Sequence, residues 1–277
     1  MSMFDAVVLS IIQGLTEFIP VSSSGHLALG HWLLGIGAET EDMLPLEFVV
    51  LVHAGTLLAV VVHYRSDLLM MIRDLFRPDL AEDEAEGCPW GRRLILLLVV
   101  ATLPAILAVL FEDHVEQLMN TPWAVGVALL VTGTALLVSE RLGKLVKPER
   151  STTPLDALLV GVAQTVAIFP GISRSGSTIS AGLGLGFHRE WATRFAFLMS
   201  VPAILGVTLY KLKDLIEQGM AGDFWIYTVS FVVSAVTGYF AIRVVIAAVQ
   251  SRNLKWIAVY CYAVGLIAII ASLSGLV

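Results

Sequence analysis

Two stretches of this chain, 4–37 and 155–187, are apolar along their length yet broken at the centre by proline, glycine and serine. Each half is roughly a dozen residues, short of the ~20 a helix needs to cross a hydrocarbon core. Such irregular backbone survives at membrane depth only inside protein or beside a wet cavity. Both stretches therefore read as re-entrant helix–loop–helix hairpins, and any fold must bury both breaks. The rest of the chain fits that setting. It is 57% hydrophobic and 14% charged, against about 25% charged in soluble domains, with a mean hydropathy of +0.84. Six further segments, near 46–64, 93–111, 122–139, 191–210, 224–249 and 254–275, are long and apolar enough to span. The expected fold is an all-α polytopic membrane protein, one integral domain over 1–277, with six transmembrane helices and two hairpins.

The broken stretches also resemble each other. Gln13–His26 reads QGLTEFIPVSSSGH, and 151 residues on, Gln164–Ser177 reads QTVAIFPGISRSGS. Asp5, Ala6, Gln13, Phe18, Ser22, Ser24 and Gly25 recur in register as Asp156, Ala157, Gln164, Phe169, Ser173, Ser175 and Gly176. The likeness runs on into EFVVLVHAGTLLAVV from Glu47 and RFAFLMSVPAILGVT from Arg194. Chance similarity of apolar composition does not place Asp, Gln, Ser and Gly in register. The chain is expected to hold two repeats, about 1–64 and 152–210. Three spans separate the hairpins, an odd number, so the repeats point in opposite directions. Inverted repeats with broken helices place their site near the midplane, where the breaks meet.

Lys and Arg orient the spans. Loop 65–93 carries Arg65, Arg73, Arg77, Arg92 and Arg93, and loop 140–154 carries Arg141, Lys144, Lys147 and Arg150, while 112–121 has none. The positive-inside rule puts both basic loops in the cytoplasm, with Lys211 and Lys213 an exception outside. The first 64 residues hold no Lys or Arg, which argues against a cleaved signal peptide. Cys88 and Cys261 do not form a disulfide framework, and no Cys/His cluster suggests zinc. Nothing points to nucleic acid. The apolar outer faces permit a homodimer without requiring one.

An ionisable group at membrane depth is a functional candidate by default. Gln13 and Glu17, four apart, share a helix face, and Glu17 suits a divalent cation or a base, with Gln13 as oxygen donor. The alternative for Glu17 is a solvated interfacial carboxylate, and Asp5 reads as a helix N-terminal one. Ser22, Ser23, Ser24 and Gly25 form the first break, and His26 follows as a proton carrier beside hydroxyls that are potential nucleophiles. His31, His53 and His63 read as packing residues. In the second break, Ser173–Gly176 lead into a helix N-terminus, an arrangement that binds anions. Arg174 adds a guanidinium suited to phosphate oxygens; the competing reading is an internal ion pair with Glu17. Gly182, Gly184 and Gly186 read as close-packing positions. The whole suits phosphoryl transfer or hydrolysis on a lipid phosphate.

These motifs resemble those of the bacterial undecaprenyl-diphosphatase family of the bacitracin-resistance type. Its signatures, (Glu/Gln)xxxGlu followed by PVSS(S/T)GH and then PG(F/I)SRSG, match Gln13/Glu17, Pro20–His26 and Pro170–Gly176. The resemblance covers essentially the whole chain. It implies removal of the terminal phosphate from undecaprenyl diphosphate, recycling the carrier for peptidoglycan synthesis and conferring bacitracin resistance. It implies a divalent cation (Mg2+ or Ca2+) held by Glu17 and Gln13, and a multi-pass inner-membrane location with the cleft facing the periplasm. Carried over by residue, Glu17, Ser23, His26 and Arg174 are catalytic, while Ser22, Ser24, Ser173, Arg174, Ser175 and Gly176 hold the diphosphate. Three candidates remain for the attacking group: Ser23, His26 and water. The reading from another class is a polyprenyl-phosphate transporter on the same architecture; a third is a scaffold in cell-wall assembly.

Overall fold

The computed structural model describes residues 1–34, 44–76, 89–108, 121–142, 146–218 and 223–275. Within these it is helical, with α1 at Met3–Phe18, α2 at Ser23–Leu34, α3 at Leu46–His63 and α4 at Arg65–Phe76. Next come α5 at Trp90–Ala108, α6 at Pro122–Leu142, α7 at Pro154–Val166 and α8 at Arg174–Gly184. The last three are α9 at Arg189–Gln218, α10 at Phe224–Gln250 and α11 at Leu254–Leu273. Five of them (α3, α6, α9, α10 and α11) are long and apolar enough to cross a membrane. The sixth expected span coincides with α5, and its end at 109–111 lies outside the described residues. So do 112–120 of the expected outer loop, Arg77, Lys144, Cys88 and the close of the first hairpin at 35–37.

Both hairpins start alike. Ser2 caps α1 by accepting the Asp5 N–H, and the Asp5 carboxylate accepts the Ser2 N–H; Thr153 and Asp156 do the same for α7. Each box satisfies two of the amides a helix start leaves unpaired, so Asp5 is the N-terminal carboxylate expected of it. Packing is reciprocal: α1 lies along α10 and α7 lies along α5, while α6 runs against α11 and α3 against both α9 and α10. Lipid supplies no hydrophobic drive between helices, so close approach through small residues must hold them. A Cβ on Gly161 would stand 2.3 Å from the Ala101 carbonyl oxygen, and one on Gly55 2.4 Å from that of Phe231. Outward, Val232, Val236, Phe240 and Val244 form an exposed apolar stripe along α10, as a lipid-facing surface requires.

Two local expectations change. The stretch after α3, read as loop, contains α4, whose Leu69, Ile72 and Phe76 are exposed while Asp74 is buried against α5. The Asp74 carboxylate accepts the Arg73 Nε–H and the Gly91 N–H, each at 2.9 Å. Of the three glycines after the second break, Gly182 packs closely, against Phe187 and Ala192. Gly184 borders open space, and Gly186 turns the chain at φ +87°.

Gly161→Ala forces a methyl against backbone that cannot swing aside. It is expected to cost about 1–3 kcal/mol, as overpacking does, read as a lower melting temperature in detergent. An unchanged melting temperature would show that α5 and α7 do not depend on this approach.

Candidate active site

The two breaks meet. After α1 the chain turns through Ile19–Val21, and Ser22 adopts φ +71° before α2 begins. That left-handed conformation costs a non-glycine residue of the order of 1–2 kcal/mol, so its surroundings must hold it. The Ser22 hydroxyl accepts the Gly25 N–H at 3.3 Å and, from the other hairpin, the Gly171 N–H at 3.1 Å. The Ser22 carbonyl accepts the His26 backbone N–H at 3.2 Å and the His26 Nδ1–H at 2.8 Å. Gly171, at φ +94°, has no room for a side chain: a Cβ would lie 2.5 Å from the Val125 carbonyl oxygen. A Cβ on Gly25 would in turn lie 3.0 Å from the Gly171 Cα.

The second tip is clamped from α6. The buried Thr132 hydroxyl donates to the Gly171 carbonyl at 2.9 Å and accepts the Ser173 N–H at 3.0 Å. Ser173 then caps α8 by accepting the Gly176 N–H at 3.1 Å. Its hydroxyl also lies 3.1 Å from that of Ser175.

Glu17 sits at the centre of this junction. Its Oε1 accepts from Arg174 Nη2 at 2.7 Å, and its Oε2 accepts from Ser23 Oγ at 2.6 Å and Gln13 Nε2 at 3.0 Å. The ion pair named as the competing reading of Arg174 therefore forms, across 157 residues of sequence. It uses half of the guanidinium. Arg174 Nη1 is buried with no hydrogen-bond partner among the described residues, as is Gln13 Oε1. Such orphaned polar atoms cost roughly 1–3 kcal/mol each and mark where a ligand's atoms fit.

A cavity of about 280 Å³ opens beside the pair, close to the lower size of small-molecule sites. Glu17, Ser22, Ser23, Ser24, Ser173 and Arg174 line it, so six of the sequence-derived site residues converge. Four do not reach its wall. Gln13 stands behind Glu17, fully buried. Ser175 and Gly176 are buried behind Ser173, where Gly176 packs on Pro20, a Cβ there lying 3.3 Å from the Pro20 Cβ. His26 is turned away, its ring stacked on Tyr260 of α11 at 5.6 Å and its Nε2 2.8 Å from the Tyr260 hydroxyl. One titratable lining residue was read from the sequence as packing only: His53 of α3. Its likeness to His31 and His63 as a lone histidine in an apolar run hid it; only the packing of α3 reveals it.

The donor set fits a hard divalent cation in a limited sense. Oxygen ligands are present in Glu17 and the orphaned Gln13 Oε1, yet there is a single carboxylate, and groups of three or more acidic, His or Cys ligands are absent among the described residues. That matches cations of the Mg2+ type, held by one or two carboxylates with substrate phosphates completing the shell.

The family model described as bacitracin resistance protein BacA matches residues 6–267. The chain belongs to that family. Among curated relatives, the undecaprenyl-diphosphatase of Alkaliphilus metalliredigens is 40% identical over 99% of this chain and 100% of its own. That of Rubrobacter xylanophilus is 41% identical over 99% of this chain and 98% of its own. That of Methanosphaera stadtmanae is 35% identical over 98% and 99%. The all-helical, multi-pass membrane character of this BacA-family chain follows from the fold and the family together.

Thr132→Val keeps the shape of the clamp and removes its hydroxyl, orphaning a buried carbonyl and a buried amide. Each orphan costs about 1–3 kcal/mol, so the melting temperature in detergent should fall clearly. If it stays at the wild-type value, the second tip is held by something other than Thr132.

Proposed function

We propose that this chain hydrolyses undecaprenyl diphosphate to undecaprenyl phosphate and inorganic phosphate, at the junction of its two hairpins. The observation that carries this reading is the buried Glu17–Arg174 pair with an orphaned Nη1, facing a hydroxyl-lined cavity among membrane helices. A water-soluble phosphate ester gives no reason to bury such a site in a bilayer. The names of the full-length relatives support the same substrate.

In this reading Arg174 binds the terminal phosphate through Nη1 while Nη2 stays on Glu17, so the guanidinium is fixed before substrate arrives. Ser22, Ser24 and Ser173 present hydroxyls to the phosphate oxygens, and the positive end of the α8 dipole points at the same place. Glu17 would hold a divalent cation, which when bound would neutralise charge on the phosphoryl oxygens; Gln13, also expected to hold it, stands behind the carboxylate and off the cavity wall. Ser23 holds the Glu17 carboxylate in place by donating to Oε2. Preorganised charge of this kind is the main resource of phosphoryl-transfer sites. His26 supports the first tip by fixing the Ser22 carbonyl, a positioning role in the structure at hand.

The reciprocal packing of α1 on α10 and α7 on α5, with the two matching capping boxes, supports an inverted repeat over 1–64 and 152–210. With the basic loops placed inside, the cleft faces the periplasmic side of the inner membrane.

Phosphate release from undecaprenyl diphosphate by the purified full-length chain tests the reading. Wild type should release phosphate, and a chelator should stop it. Arg174→Lys keeps the charge and loses the fork; it and Glu17→Gln should each lower kcat on the order of 10²-fold, and Glu17→Gln, which leaves Arg174 without its counter-charge, should also lower the melting temperature. Binding without release by a folded wild type would favour a transporter instead.

A further inference from the structure

His53 lies within α3, among LEFVVLVHAGTLLAVVVH, where every other residue between Phe48 and Val62 is apolar, glycine or threonine. A titratable ring there needs a reason. Three observations supply one. The ring borders the same cavity as Glu17, Ser23 and Arg174, close enough to Glu17 to feel its charge. Its Nδ1 is 2.8 Å from the Val49 carbonyl; a carbonyl only accepts, so Nδ1 carries the proton and Nε2 of the neutral ring carries the lone pair. Nε2 makes no hydrogen bond among the described residues, whereas both ring nitrogens of His26 are engaged and its ring is outside the cavity wall. A histidine that merely packs would have both nitrogens satisfied.

Glu17, the other candidate base on the wall, has its carboxylate engaged by Arg174, Ser23 and Gln13. Ser23 is committed to Glu17 Oε2 at 2.6 Å, and Arg174 cannot accept a proton. Opposite, α9 contributes only Ala203, Ile204 and Val207. The position of α3 is itself fixed, because Gly55, two residues on, lets the helix close onto the Phe231 carbonyl of α10.

We propose that His53 is a catalytic residue of the phosphatase reaction, the general base whose Nε2 takes a proton from the attacking water. The water oxygen forms a bond to the terminal phosphorus. The bond from that phosphorus to the bridging oxygen breaks, and its electron pair leaves with the lipid monophosphate. The proton on Nε2 then returns to the released phosphate or to solvent, restoring the neutral ring. This rests on the phosphatase reading above.

The test is steady-state phosphate release by His53→Ala and His53→Gln beside wild type, with melting temperatures to establish folding. General-base loss is worth about 10²–10⁴, so kcat should fall at least ~10²-fold in both, with KM changed by less than about threefold. Added imidazole should raise the rate of His53→Ala at least ~10-fold and leave wild type unchanged. A folded His53→Ala whose kcat stays within about threefold of wild type, or whose lost activity imidazole does not restore, overturns the proposal. If His53→Ala does not fold, an unimpaired kcat in folded His53→Gln overturns it equally. A wild type that releases no phosphate instead removes the phosphatase reading itself.

Discussion

Everything in this molecule depends on a contact between two pieces of backbone that lipid cannot tolerate. Breaking a helix at membrane depth exposes amides and carbonyls with no water to take them. Here the first tip and α6 together satisfy the second. The Ser22 hydroxyl takes the Gly171 N–H, Thr132 takes both sides of the second tip, and Gly25 and Gly171 lack side chains because their backbones touch. The strained φ of Ser22 persists because four hydrogen bonds converge on that one residue. A polar centre thus arises from the same need that holds the hairpins together, and the charged pair sits where the membrane is already breached.

Much of this was legible in the sequence. Pro20, Ser22–Gly25 and Pro170–Gly176 announced the breaks, because clusters of Pro, Gly and Ser interrupt a helix, whereas the single prolines Pro104 and Pro202 lie inside helices. The run of Asp5, Gln13, Ser22 and their counterparts is the basis of the proposed repeat, and six of the site residues lie on the cavity wall. What stayed hidden was what only packing decides. His26 and His53 look equivalent along the chain, yet Tyr260, 234 residues from His26, claims the first, and a cavity wall claims the second. Helix α4 escaped because its charges suggested loop, while its Leu69 and Ile72 face outward beside a buried Asp74. Of the two readings offered for Arg174, the structure shows the partner of Glu17, which does not exclude the phosphate ligand of the proposal. A guanidinium has enough donors for both.

That double use shapes how the protein spends charge. An isolated arginine at this depth would pull in water or a counter-ion, and an isolated glutamate would take up a proton. Paired at 2.7 Å, each has its counter-charge in place. A buried pair of this kind adds little net stability, whereas breaking it is expensive. Its value lies in keeping the cavity charged and geometrically fixed, with two donors and acceptors in reserve.

The half-engaged guanidinium also bears on how the site empties. In the reading proposed above, a phosphate seated on Nη1 would share Arg174 with the Glu17 carboxylate that already holds Nη2. Its hold would be weaker than that of an unpaired guanidinium, and its release correspondingly easier.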